Sequence, residues 1–165
     1  MEPAPPRTAG RPGAAACFTG GYTGDLTGLV WNTRGLWHTR RKRRAPKFRH
    51  LRSILEGIDV MFLTDTHGSR GKIAASASAS HTFDSLPAGY KGFWSHMPAE
   101  VRDTGGVGLV VSEAFLSRVV GDSGKITWKP RILPGRVACL SLSGPEGCLD
   151  LYVTYLQAGE TATER

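Results

Sequence analysis

The sequence predicts an α/β (α+β) fold, and three observations predict it. Apolar runs of strand length recur along the chain, as in Ile58–Leu63 and Gly105–Val111. Between two such runs, Phe48, Leu51, Ile54 and Leu55 stand at helical spacing. The chain has 165 residues of which 40% are apolar, enough to bury a core in one domain.

The elements follow in order. Residues 1–25 are rich in Pro, Gly, Ala and Thr, lack a period and read as a disordered tail. The domain spans 26–159, with a short tail at 160–165. Leu26–Trp31 reads as a buried strand that Asn32-Thr33-Arg34-Gly35 breaks with turn formers. Pro46 suits a first helical position, and Gly57 the position just past the helix end. Ile58–Leu63 is a second strand, which makes the span a βαβ-like crossover. Ala74–Ser80 alternates Ala and Ser and reads as a low-complexity loop. Tyr90–Ser95 and Gly105–Val111 are further strands, and Glu113–Val119 is one or two helical turns. Lys125–Ile132, Arg136–Leu142 and Cys148–Leu156 are three more strands, joined through Leu133-Pro134-Gly135 and Ser143–Gly147. Strands crowd toward the end with little helix to cover them, which leaves one sheet face exposed.

Composition excludes several classes. No run approaches the roughly 18 apolar residues of a membrane-spanning helix. No heptad or internal repeat occurs. Cys17, Cys139 and Cys148 form an odd set without C-x-x-C, which fits reduced thiols inside a cell rather than a disulfide framework or a zinc ribbon. A secretory signal lacks its apolar stretch, while Arg7 and Arg11 leave an organellar transit peptide open. Gly121–Lys125 and Gly68–Lys72 lack the spacing of a phosphate loop, and Gly105–Gly108 is not a dinucleotide fingerprint. The five histidines show no metal-ligand spacing.

The charge is local. The formal net charge is +7. Nine basic residues, Arg34, Arg40, Arg41, Lys42, Arg43, Arg44, Lys47, Arg49 and Arg52, lie in a stretch without an acid. Outside it, 12 basic residues face 14 acidic ones, so a near-neutral domain carries one basic patch. Such a patch is an anion-binding footprint, and polyphosphates are the usual anion. The same run reads equally as a solvated loop, and Arg40–Arg44 reads as a nuclear-import signal. Trp31, Trp37 and Phe48 flank the patch and favour nucleic acid, since bases stack on such rings.

Strand ends supply the remaining chemistry. The first strand ends in Trp31-Asn32, the second in Leu63-Thr64-Asp65-Thr66-His67, and the last in Tyr155. If these strands are neighbours, an amide oxygen and a carboxylate meet at one sheet edge. Hard oxygen ligands of that kind suit Mg²⁺. Asn at a strand end is also an ordinary turn former, and Asp there an ordinary cap.

Four segments in this order, Val30–Leu36, Ile58–His67, Gly105–Val111 and Leu149–Tyr155, resemble the endonuclease/exonuclease/phosphatase superfamily. They are most similar to the apurinic-type endonuclease domains of non-LTR retroelements, which accompany a reverse transcriptase. The resemblance covers roughly residues 26–159 and implies the first half of a four-layer αββα sandwich, with the second sheet largely missing. It implies a Mg²⁺-dependent (or Mn²⁺-dependent) phosphodiester hydrolase of the endonuclease kind, with nucleic acid, DNA favoured, as its partner and the substrate left open among DNA, RNA, inositol and other phosphoesters. Asn32 and Asp65 would hold the metal, and Asn32 and Tyr155 would act on the scissile phosphate. His67 matches a frequent His of no firm role. Arg34 and Arg40, Arg41, Lys42, Arg43 and Arg44 would grip the nucleic-acid backbone.

The departures from the family pattern carry consequences. Asp65 stands where the family has Glu, which withdraws the carboxylate by about 1.5 Å. Thr64 replaces Gln, and Val153 stands where many members have Asn. The family's later D-x-N, N-D and S-D-H motifs have no counterpart, and no adjacent Asp-His pair occurs. The expectation is therefore a truncated domain, weak or inactive alone, in an intracellular and by its basic run nuclear setting. The alternative is a non-catalytic nucleic-acid-binding remnant. The sequence sets no oligomeric state.

Overall fold

The computed structural model describes residues 21–38, 40–68, 86–98 and 105–156, with Arg41 as backbone only. Ala74–Ser80, the first 20 residues and the C-terminal tail lie outside the described residues. In chain order the elements are β1 (Gly28–Asn32), α1 (Arg41–Ile54), β2 (Val60–Thr64), β3 (Tyr90–Ser95), β4 (Val107–Ser112), α2 (Glu113–Val120), β5 (Lys125–Leu133), β6 (Val137–Gly144) and β7 (Gly147–Thr154). Two helices and two sheets make a mixed α+β fold.

The first sheet has the order β1-β2-β4-β3. β1 and β2 are parallel, joined by α1 as a crossover, whereas β4 is antiparallel to both of its neighbours. The apolar residues of α1 explain its place. Phe48, Leu51 and Leu55 are buried with Met61, Leu63 and Val110, so the helix covers the outer face of this sheet. Trp37 closes that layer, edge-on to both Phe48 and Trp94.

The second sheet is an antiparallel meander, β5-β6-β7. Its inward residues Ala138, Leu140, Leu142, Leu151 and Val153 pack against Val60, Val107, Leu109 and Val111 of the first sheet. α2 belongs to this inter-sheet core, burying Phe115, Leu116, Val119 and Val120, and its start is capped by Ser112, whose hydroxyl accepts from the Phe115 amide. The expected absence of most of a second sheet is thus amended: β5, β6 and β7 build one. Its outer face mixes Lys125, Thr127, Lys129, Ser141, Asp150 and Thr154 with Val137, Cys139, Cys148 and Tyr152, and no described helix covers it.

Two further expectations are corrected. Residues 21–25 are ordered, not part of a disordered tail. Gly21 bridges to Cys148, the Tyr22 amide donates to Cys148 O at 3.0 Å, and the Tyr22 ring packs edge-on to Phe115. One aromatic side chain with a buried partner outweighs the glycines around it. α1 also begins at Arg41, five residues before Pro46, so the basic run is the first helical turn and not a loop. Pro46 sits inside the helix, where it has no amide to give the Lys42 carbonyl. Nothing acidic stands in that first turn, and Arg40 makes no side-chain cap.

The three-stranded sheet lies over β2, β4 and β3, and no described strand is stacked on β1. Val30, level with Phe62 in the register, is therefore 72% exposed.

Replacing Pro46 by Ala restores an amide to the first turn of α1. We expect Pro46→Ala to raise stability by about 1–3 kcal/mol, the range set by the cost of Pro in a helix interior. A urea-denaturation midpoint that does not rise would show that the turn from Arg41 to Ala45 is not held as helix.

Candidate active site

The site begins with backbone. Past the ends of β1 and β2 the two chains stay zipped. Thr33, Gly35 and Trp37 donate their amides to Thr64, Asp65 and Thr66 oxygens, at 2.9, 2.6 and 2.9 Å. The next loop joins in: Thr66 N and His67 N donate to Gly106 O and Gly105 O, at 3.0 and 2.8 Å. Gly106 N in turn reaches Gly135 O at 2.9 Å, and Tyr155 N reaches Arg136 O at 2.8 Å. Loops from both sheets thereby meet at one end of the sandwich.

Side chains tighten this network. Thr33 is buried; its hydroxyl lies 3.1 Å from both the Thr64 and Asp65 carbonyls and accepts from Leu36 N at 3.3 Å. Lys47, one turn into α1 beyond the basic run, points its ammonium at three carbonyls of the β1–α1 turn: Thr33 O at 2.8 Å, Gly35 O at 3.1 Å and Arg34 O. Burial holds the Lys47 amine below the usual lysine range, with Asp65 drawing it back up and Arg43 pushing it further down.

The conformation is strained where the chemistry gathers. Among the described residues, only Arg34, Asp65 and His67 have positive φ without being glycine, at 46°, 55° and 52°. All three lie in this network, and such strain collects at functional sites. Gly106 (φ 90°) is required here, since a Cβ on it would stand 2.5 Å from Thr66 Oγ1. That hydroxyl and Trp37 Nε1 are buried without a hydrogen-bond partner among the described residues, an uncommon state for buried polar atoms.

Asp65 is the hub. Its Oδ1 lies 2.7 Å from His67 Nε2 and accepts from Gly105 N at 3.3 Å. Tyr155 is the third member. Its phenol is raised above the ordinary tyrosine value by burial, by the Asp65 charge and by a hydrogen bond to that carboxylate, with Arg136 opposing. The Arg136 guanidinium lies 5.7 Å from the Tyr155 ring centroid, in cation–π range. Asn32 stands opposite Thr64 in the β1–β2 register, next to Asp65, with its Oδ1 accepting from Arg34 N at 3.2 Å. The three strand ends nominated from the sequence, Asn32, Asp65 and Tyr155, are therefore brought to one place.

The basic run borders this cluster. Arg40 N donates to His38 Nδ1 at 3.0 Å, and Arg44 Nη1 donates to His38 O at 3.1 Å. The His38 imidazole is held below its usual value by desolvation, then by Arg43, Lys47, Arg40 and His67. One histidine thus lies within reach of the charges at the start of α1 and of His67. Lys42 and Arg43 are exposed, as are Arg34 and Arg40, while Arg44 is half-buried; the Arg41 side chain lies outside the described set.

The donor set limits the metal that would fit. Among the described residues no group of three His, Cys, Asp or Glu could hold an ion. What remains is one carboxylate, 16% exposed, with an amide oxygen at the adjoining strand end. That suits a hard ion that keeps most of its waters and takes one carboxylate plus substrate phosphate, and it does not suit a cage of protein ligands.

Two participants escaped the sequence reading. Sequence alone makes Arg136 only the start of a strand, and its place under Tyr155 follows from the β6–β7 pairing. The Asp65–His67 pair is separated by one residue, so a search for adjacent Asp-His could not find it; the signal was D-x-H directly after a strand.

Removing the Lys47 ammonium leaves three turn carbonyls without their donor. We expect Lys47→Met to cost about 1–3 kcal/mol, the desolvation cost of buried groups left unpaired. It should also move the His38 titration upward by NMR, because one of the charges that depress it is gone. A Lys47→Met variant with wild-type stability and an unmoved His38 would refute this account.

Tyr155 should titrate above pH 10. Its raised value means that the neutral phenol is favoured in the folded state, so the stability it contributes is present below about pH 10 and lost as pH rises through the folded value. The wild type minus Tyr155→Phe difference in ultraviolet absorbance reads this directly, and a midpoint at or below 10 would contradict it. In sequence comparison, no protein-family model and no curated protein matches the chain.

Proposed function

We propose that the chain carries the phosphate-binding and metal-holding part of a phosphodiester-hydrolysing site of the endonuclease/exonuclease/phosphatase kind, acting on nucleic acid. The observation that carries the reading is the convergence of Asn32, Asp65 and Tyr155 at one end of the sandwich, in a loop network that holds every described non-glycine residue of positive φ. The layering of α1 on a four-stranded sheet, stacked on a second sheet, is compatible with the first part of an αββα sandwich.

In this reading Asp65, with Asn32 beside it, would hold Mg²⁺ or Mn²⁺, and the ion when bound supplies positive charge to the phosphate oxygens. A bound phosphate would take the Tyr155 hydroxyl hydrogen bond over from Asp65, and Arg136 would add its charge to the same phosphate. Asp65 fixes the His67 ring through Nε2 and so orients it at the edge of the site. The exposed guanidinium groups of Arg34, Arg40 and Arg43 and the Lys42 ammonium sit on the β1–α1 turn and at the start of α1, where they would meet a phosphate backbone. Hydrolysis is slow in this proposal, because the family's D-x-N, N-D and S-D-H motifs, which supply the group that activates water, have no counterpart in this sequence.

A second reading, binding without cleavage, is favoured by one observation. The first turn of α1 stacks cations at the positive end of a helix and has no acid to offset them. An anionic polymer offsets both.

A plasmid-nicking assay with and without Mg²⁺, run beside a salt-dependent binding titration, tests both readings. We expect salt-sensitive binding, with a shallower log–log slope in Arg40→Gln/Arg43→Gln. We expect slow Mg²⁺-dependent nicking that Asn32→Ala and Asp65→Ala abolish. Binding with no nicking leaves the second reading standing alone. Nicking that survives in Asp65→Ala refutes the role given to that carboxylate, and absence of salt-sensitive binding sinks both readings.

A further inference from the structure

We propose that the tip of the β5–β6 hairpin is an apolar wedge that enters a base step of bound nucleic acid beside the phosphate held at Tyr155 and Arg136. The inference rests on the reading above and adds the form of nucleic acid the site prefers, one whose bases unstack readily.

Hairpin tips are ordinarily polar, with Gly, Asn, Asp or Ser. The turn itself, Pro134-Gly135-Arg136, is of the ordinary kind, but the end of β5 that leads into it is apolar, Ile132-Leu133. Ile132 is 50% exposed and Leu133 54%, and Leu156, just beyond Tyr155, is 84% exposed. Pairing places them together at one end of the sheet, since Leu133 faces Val137 and Val137 faces Thr154, two residues before Leu156.

The tip is held fast at its base. Gly135 O accepts from Gly106 N at 2.9 Å, and Gly135 N donates to Ser95 Oγ at 3.1 Å. Ser95 itself donates to Pro130 O, which ties the outgoing arm of the hairpin to the same point. Gly135 has φ 67°, and a Cβ there would collide with Met97, so the bend cannot be rebuilt with another residue. Arg136 follows at once, its carbonyl bound to Tyr155 N at 2.8 Å. Ile132 and Leu133 therefore stand at a fixed offset from the Asp65–Tyr155 cluster, and Leu156 follows Tyr155 directly.

Charge selects the occupant. Between Lys125 and Leu142 the chain carries Lys125, Lys129, Arg131 and Arg136 and no acid. The β1–α1 turn and the start of α1 add Arg34, Arg40, Lys42 and Arg43. Aliphatic side chains set among cations and fixed to a phosphate site match a polymer with charged edges and an apolar stacked interior. Aliphatic wedges between base steps unstack and kink duplexes by the same logic. An anionic membrane surface would accept the same mixture, but it gives no reason for the tip to be tied to Tyr155.

The test uses the full chain and a duplex carrying 2-aminopurine, with anisotropy for binding and 2-aminopurine fluorescence for unstacking. The expected result is a several-fold fluorescence rise with wild type. Leu133→Ser and, separately, Leu156→Ser should lose most of that rise, weaken binding about tenfold or less, and leave the salt slope unchanged. Arg136→Gln should instead lower the slope by about one. Binding without a fluorescence rise, or a rise that survives both serine variants, overturns the wedge and leaves the phosphodiester reading intact. Leu133-dependent co-sedimentation with anionic phospholipid vesicles, without a fluorescence rise, overturns it in favour of a lipid surface. Absence of salt-sensitive nucleic-acid binding removes both the wedge and the reading beneath it.

Discussion

The Lys47 ammonium holds the site in shape. The turn after β1 must direct three successive carbonyls, of Thr33, Arg34 and Gly35, toward the same side, and Arg34 and Gly35 both take positive φ to do so. Three aligned carbonyls repel one another and lie partly away from water. A single ammonium with three hydrogens answers all of them. Because Lys47 rides on α1, the helix and the turn cannot shift independently. Because Thr33, Gly35 and Trp37 hand their amides to the loop after β2, Asp65 is fixed by the same constraint.

Strain and hydrogen bonding balance within this network. A non-glycine residue in the left-handed region costs about 1 kcal/mol or more. Arg34, Asp65 and His67 each carry that cost, and each is flanked by backbone bonds that hold it there. The gain is geometric. At φ 55° Asp65 turns out of the strand line, its carbonyl serving Gly35 N while its carboxylate gathers His67 and Gly105 N and its charge acts on the Tyr155 phenol. An extended residue at this position would continue the pairing of β2 and disperse that set. The shorter Asp, in place of the Glu of the resembled pattern, matches this inward arrangement, since its hydrogen-bond partners lie on the loop itself and not across a wide cleft.

Much of this was legible because it is periodic. The crossover from β1 through α1 to β2, and the meander of β5 to β7, follow from apolar runs and turn formers, and their boundaries fall within a few residues of those read from sequence. The errors have local causes. Pro46 looked like a helix start because that is where Pro is least costly, yet the helix runs five residues further back. There the Arg40 amide is taken by His38 and the Arg44 guanidinium by the His38 carbonyl, contacts that depend on the fold. Residues 21–25 looked like tail because composition averages over Tyr22, whose ring finds Phe115. The strand ends Asn32, Asp65 and Tyr155 were readable as positions. Their partners, Lys47, Arg136 and the bond from Asp65 to His67, depend on register and on φ, which no spacing rule reports.

The electrostatics of α1 point beyond the fold. Acids are favoured in a first helical turn and bases in the last, each worth about 0.3–1 kcal/mol, because the free amides carry partial positive charge. α1 inverts this at its start: Arg40 to Arg44 are all basic and no acid follows in the turn. Pro46 removes a further backbone bond from the same turn, and no side chain caps it. A segment chosen for stability alone would not combine these three features. They are consistent with one another when the stabilising charge comes from outside the chain. An anion at this end would complement the amides and the guanidinium groups together, and His38 and Lys47 lie between that end and Asp65. In the proposed reading, a phosphate chain crossing the start of α1 would therefore stabilise the helix that carries Lys47, and through Lys47 the turn that places Asn32 and Asp65.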